Sequence, residues 1–81
     1  MDERDILARI GDYVDEEHRL RALHERGALT SEEEKRRLRE LEVALDQCWD
    51  LLRRRRASAR AGEDPDQVRP RPPGEVEGYL Q

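Results

Sequence analysis

Residues 27–34 read GALTSEEE, a helix stop followed at once by a helix start. Gly27 suits the left-handed residue that closes a helix. Thr30 with Glu33, or Ser31 with Glu34, fits the S/T-x-x-E capping box, in which a hydroxyl and a carboxylate satisfy free backbone N–H groups. Glu32, Glu33 and Glu34 also suit the positive end of a helix dipole. Outward from this turn the seam residues mirror each other. Ile6, Ile10, Tyr13, Glu17, Leu20 and His24 recur at alternating spacings of four and three. Leu38, Leu41, Leu45, Cys48 and Leu52 recur at three and four. Folding the chain about residues 27–30 brings together partners whose numbers add to 58: Ile6 with Leu52, Ile10 with Cys48, Tyr13 with Leu45, Glu17 with Leu41, and Leu20 with Leu38. The pattern predicts an all-α fold, a coiled-coil-like antiparallel two-helix hairpin.

Helix 1 is expected over about residues 3–26, capped by Asp2 or Asp5, with Gly11 inside it at a cost of about 1 kcal/mol relative to Ala. The turn takes residues 27–30 and helix 2 about 31–61, ended by Gly62, so that 1–62 form the hairpin. Residues 63–81 contain Pro65, Pro70, Pro72 and Pro73 and are expected to form an extended or irregular tail. The tail closes on the apolar residues Val76, Tyr79 and Leu80.

Composition fits long helices better than a deep-cored globule. Of 81 residues, 44% are charged and 35% hydrophobic, and Phe is absent. A net charge of −4 argues against a general polyanion binder. The acidic start MDERD is unlike an export signal, no apolar run nears the length of a membrane span, and a single cysteine forms no internal disulfide. A cytoplasmic protein without membrane contact is expected.

A lone hairpin supplies little core. Leu7, Val14, Leu23, Trp49 and Leu51 flank the seam and widen the apolar stripe towards the face of a bundle. These five are the candidate interface, and the expected assembly is a homodimer of hairpins forming a four-helix bundle. The competing arrangement is a monomer in which Tyr79 and Leu80 cover Trp49. Equally, Val76, Tyr79 and Leu80 can dock on another protein.

Arg53, Arg54, Arg55 and Arg56, extended by Arg60, are a candidate anion-binding cluster for nucleic acid, ribosome or another phosphate-bearing ligand. The hairpin register offers a competitor. It sets Asp5 opposite Arg53 and Asp2 opposite Arg56, and no aromatic residue interleaves with the arginines to stack on bases. Intramolecular pairing is therefore favoured over nucleic acid.

Metal and catalytic readings find no complete constellation. Asp15 and His18 share the i, i+3 spacing of bundle metal sites but fall on the outer face. Glu17 and His24 fall on the seam, where Arg21 or a partner hairpin is expected to satisfy Glu17 and Glu34 to satisfy His24. Cys48 meets Ile10 rather than a base, and there is no glycine-rich phosphate loop. No cofactor, metal or enzymatic activity is expected.

The stretches ILARIGDYVDEEHRLR (6–21), LEVALDQCWDLLRRRRA (41–57) and VEGYLQ (76–81) are similar to a family of short proteins from GC-rich bacteria, catalogued as a domain of unknown function. LDQCWDLLRRRRA is the most specific element. The resemblance implies a stand-alone cytoplasmic protein and supplies no activity, cofactor or site residue. GALTSEEEKRRL (27–38) also resembles the turn of short helical oligomerisation modules. The functional expectation is a small non-enzymatic interaction or adaptor protein acting through its bundle surface and tail, with a phosphate-binding regulator as the alternative.

Overall fold

The computed structural model describes residues 1–72, which form two long helices and a short 3-10 turn without any strand. Helix α1 spans Glu3–Glu25 and α2 spans Ser31–Arg60; η1 spans Pro65–Gln67. Both helices begin on side-chain caps. The Asp2 carboxylate accepts from the Asp5 N–H at 2.9 Å, and the Asp5 carboxylate accepts from the Asp2 N–H at 3.4 Å, a reciprocal capping box. Thr30 Oγ1 accepts from the Glu33 N–H at 3.2 Å.

Both helices end on a glycine with positive φ, Gly27 at 76° and Gly62 at 78°. In each case two backbone bonds close the end. Gly27 N–H donates to His24 and Ala28 N–H to Leu23, while Gly62 N–H donates to Ala59 and Glu63 N–H to Ser58. This is the Schellman arrangement, which satisfies carbonyls that the helix itself leaves free and turns the chain sharply. The first instance reverses the chain into α2. The second reverses it again, so that residues 63–72 run back along α2.

The core sits at the open end of the hairpin. Ile6, Ile10, Leu51 and Leu52 form its buried cluster, with Leu45, Cys48 and Val68 packed against it. Ile6 and Leu52 are 0% and 1% exposed, as their pairing across the seam demands. Towards the turn the seam keeps Leu20 and Leu29 buried, and the His24 ring lies 3.6 Å from the Glu34 carboxylate, its register partner. Glu17 lies 3.7 Å from Arg21. Between these ends, Tyr13, Glu17, Leu38 and Leu41 are only half-buried.

Candidate interaction surfaces

The two flanks of the seam differ. On α1, Leu7 and Val14 each follow a seam residue, and on α2 Trp49 follows Cys48; in an antiparallel pair such positions share one flank. These three side chains are 43%, 38% and 42% exposed, large values for apolar groups on helices. Leu51 and Leu23 precede seam residues and fall on the opposite flank. This divides the set expected from sequence. Leu51, expected on a partner surface, is 5% exposed and belongs to the hairpin's own core; Leu23 is half-buried beside the turn.

Leu51 is buried because the returning chain covers its flank. Val68 packs on the core cluster, and Pro70 lies beside Leu51 over a small cavity of about 120 Å³ that Tyr13, Ala44 and Cys48 also line. This strap is fastened by polar groups of α2. Arg55 Nη1 donates to the Pro65 carbonyl at 2.9 Å and Nη2 to Asp66 Oδ1 at 3.0 Å. Arg54 Nη1 donates to the Arg69 carbonyl at 2.8 Å, and Gln47 Nε2 to the Arg71 carbonyl at 3.3 Å. Asp50, only 2% exposed, lies 3.2 Å from Arg54 Nη1 and 3.5 Å from Arg71 Nε. Proline carbonyls and irregular backbone have free lone pairs, and guanidinium forks are well shaped to fill them.

The arginine cluster is thereby divided. Arg54 and Arg55 hold the strap, and Arg56 Nε donates to Glu3 Oε1 at 2.8 Å. Arg53 and Arg60 are exposed. The expected pairing of Asp5 with Arg53 and Asp2 with Arg56 does not form: both aspartates are engaged in the capping box, and Glu3 takes Arg56 instead. Arg55 is 8% exposed, and its Nε has no hydrogen-bond partner among the described residues.

Asp50, Asp66 and Val68 carry this arrangement and were absent from the sequence-derived candidates. Two patterns pointed to it. Arg55 continues the seam one step beyond Leu52, which places a guanidinium where a buried partner is required. Asp50 and Arg54 stand at i, i+4 on the outer face of α2, a pairing that favours the helix and needs only a cover to become buried. Val76, Tyr79 and Leu80 lie outside the described residues.

Above the strap the same flank opens into a groove of about 390 Å³ lined by Tyr13, Glu16, Leu20, Arg37, Glu40, Leu41 and Ala44. Glu16 on its rim is bound by Arg19 through two bonds of 3.0 and 2.8 Å, which hold its carboxyl below the usual carboxylate range and raise the Arg19 guanidinium. Burial pushes the Cys48 thiol above its ordinary pKa, opposed by the nearby Arg9 charge. A thiol so shifted is a poor nucleophile at neutral pH. Asp15 and His18 are exposed, and the His24 Nε2 atom lies 3.0 Å from Ser31 Oγ. Among the described residues no three His, Cys, Asp or Glu side chains gather as a metal site, and no helix is long and apolar enough to cross a membrane.

Comparison with known proteins agrees with the family likeness carried by these segments. The family described as "Protein of unknown function (DUF2630)" matches residues 2–81, and the chain belongs to it. It is 49% identical over 75 residues to "Uncharacterized protein Mb0922c" of Mycobacterium bovis, covering 93% of this chain and 86% of that protein. The same identity and coverage relate it to "Uncharacterized protein Rv0898c" of Mycobacterium tuberculosis. No solved structure matches the chain.

Proposed function

We propose that this member of the DUF2630 family is a small non-enzymatic interaction protein that works as a homodimer, two hairpins joining through Leu7, Val14 and Trp49 into a four-helix bundle. The observation that carries the reading is the exposure of these three side chains together on the flank the strap leaves bare. Tryptophan at the centre of a contact is among the strongest contributors to association, because its large surface leaves water at little entropic cost. A second copy is the occupant best matched to the face. A twofold axis brings Trp49 of each hairpin onto Leu7 and Val14 of the other, and each hairpin gains the core it lacks.

Two further points support this reading. Arg54, Arg55 and Arg56 are engaged within the molecule, so a phosphate-bearing ligand would be met by Arg53 and Arg60 alone of the five. The raised pKa of Cys48 disfavours a nucleophilic role. The bundle would then act as a rigid platform for a further partner.

Trp49, the one tryptophan, reports on the contact directly. Its fluorescence maximum should move to the red on serial dilution as hairpins separate, and Val14→Ser should move that transition to higher protein concentration. An emission maximum that is red-shifted and independent of concentration would refute the dimer.

A further inference from the structure

We infer that the C-terminal segment of the chain, residues 75–81, seats its apolar side chains in the chain's own groove between Leu20, Leu41 and Ala44. The strap's direction is the first ground. As its numbering rises from Pro65 through Arg69 to Arg71, its partners on α2 fall from Arg55 through Arg54 to Gln47. The strap therefore runs antiparallel to α2, towards the turn, along one track of the helix. Positions 54, 51 and 47 on that track meet the strap or its prolines; 44, 40 and 37, the next steps of the same i, i+3/i+4 row, line the open groove. The small cavity beside Pro70 and the groove share Tyr13 and Ala44, so one continues into the other.

Length is the second ground. From Gln47 to Arg37 the helix rises about 15 Å. Ten residues follow Arg71, enough to reach about 30 Å when extended. The strap descends about 12 Å of helix between Pro65 and Arg71, roughly 2 Å per residue. Continued at that pace, Val76 comes level with Glu40 and Tyr79 with Arg37. Pro72 and Pro73 favour an extended path away from Gln47. The sequence beyond them, GEVEGYLQ, then supplies Val76, Tyr79 and Leu80 where the groove offers Leu41, Ala44 and Leu20, with glycines at positions 74 and 78 to bend the chain. The groove is thus a site for a short peptide of the form Val-x-x-Tyr-Leu, and its resident occupant is the end of this same chain. The site lies on the flank opposite Trp49, so its occupancy is independent of the proposed dimer contact.

The test uses the full chain in a Cys48→Ser background. Glu40→Cys with Val76→Cys should form a disulfide within one chain under mild oxidation, on the order of tenfold or more faster than Glu42→Cys with Val76→Cys, because a held segment has a high effective concentration at one flank only. Equal rates for the two pairs would overturn the inference. So would a product that migrates as a covalent dimer, which assigns the groove to another copy's tail. The unsubstituted chain gives an independent reading: nuclear Overhauser contacts from the Tyr79 ring or Val76 methyls to the Leu41 and Ala44 methyls are expected, and their absence overturns it. Concentration-independent Trp49 emission, by contrast, would count against the dimer and leave this result standing.

Discussion

Replacing Arg55 separates two effects that the buried guanidinium combines. Its bond to the Pro65 carbonyl is charge-assisted and shielded, worth about 1.5–3 kcal/mol. Its pair with Asp66 is worth less, under about 1 kcal/mol, since the Asp66 side chain is 72% exposed. Against both stands the desolvation of an ion whose Nε is buried without a partner among the described residues, a cost of about 1–3 kcal/mol. These nearly cancel, so the packing of the methylene stem decides the outcome. Arg55→Met keeps a stem of similar volume and should cost under about 1 kcal/mol. Arg55→Ala removes it and should cost about 2 kcal/mol. Urea unfolding followed by helical circular dichroism measures both. In either variant, the amide of Val68, which donates to the Pro65 carbonyl, should lose protection from hydrogen exchange as the strap comes free. Undiminished protection at Val68 in both variants would refute the view that Arg55 fastens the strap. A Met variant as unstable as the Ala variant would show that ion pairing, and not the stem, dominates.

Other substitutions test neighbouring parts of the fold. Gly11 and Gly27 both have open space where a Cβ would sit, but only Gly27 has a positive φ. Gly11→Ala should therefore stabilise by about 0.5–1 kcal/mol and Gly27→Ala destabilise by about 1–2 kcal/mol in denaturant titration; equal signs would contradict the turn geometry. Asp50→Asn removes the carboxylate shared by Arg54 and Arg71 and should cost about 1–3 kcal/mol, read as a lower melting temperature, with an unchanged temperature counting against the buried pair. The Cys48 thiol loses its proton at lower pH in the unfolded chain than in the fold. Stability from this group is therefore full below the ordinary thiol pKa and is lost as pH rises from there through the raised pKa of the fold, and alkylation of the native thiol should be slower than in urea at the same pH. Equal alkylation rates would show the thiol to be unshifted.

Much of the hairpin was legible because its causes are local and periodic. The 58 register follows from seam spacing alone, and it brought Ile6 to Leu52 and His24 to Glu34. Glycine at position 27 and threonine at position 30 announced the turn, since each satisfies backbone groups that an adjacent helix end leaves free. The strap was not legible in the same way. Residues 63–72 have no periodicity, and the carbonyls of Pro65, Arg69 and Arg71 that bind α2 carry no side-chain identity. That gap misdirected the reading of the arginines: their competitor for solvent proved to be the returning chain and Glu3, rather than Asp2 and Asp5. It also misplaced Leu51, whose helical phase suits a partner surface until Val68 and Pro70 occupy that flank. The sequence placed Leu7, Val14 and Trp49 with Leu23 and Leu51 in one set flanking the seam, and the burial of Leu51 is what divides the two flanks.

Sedimentation equilibrium of the unsubstituted chain beside Trp49→Ala tests the hairpin dimer most directly. The unsubstituted chain should sediment at twice its chain mass at micromolar concentration, and the variant at the mass of one chain, with helical circular dichroism retained. A monomeric unsubstituted chain, or a variant that dimerises equally well, would contradict a dimer built on Leu7, Val14 and Trp49.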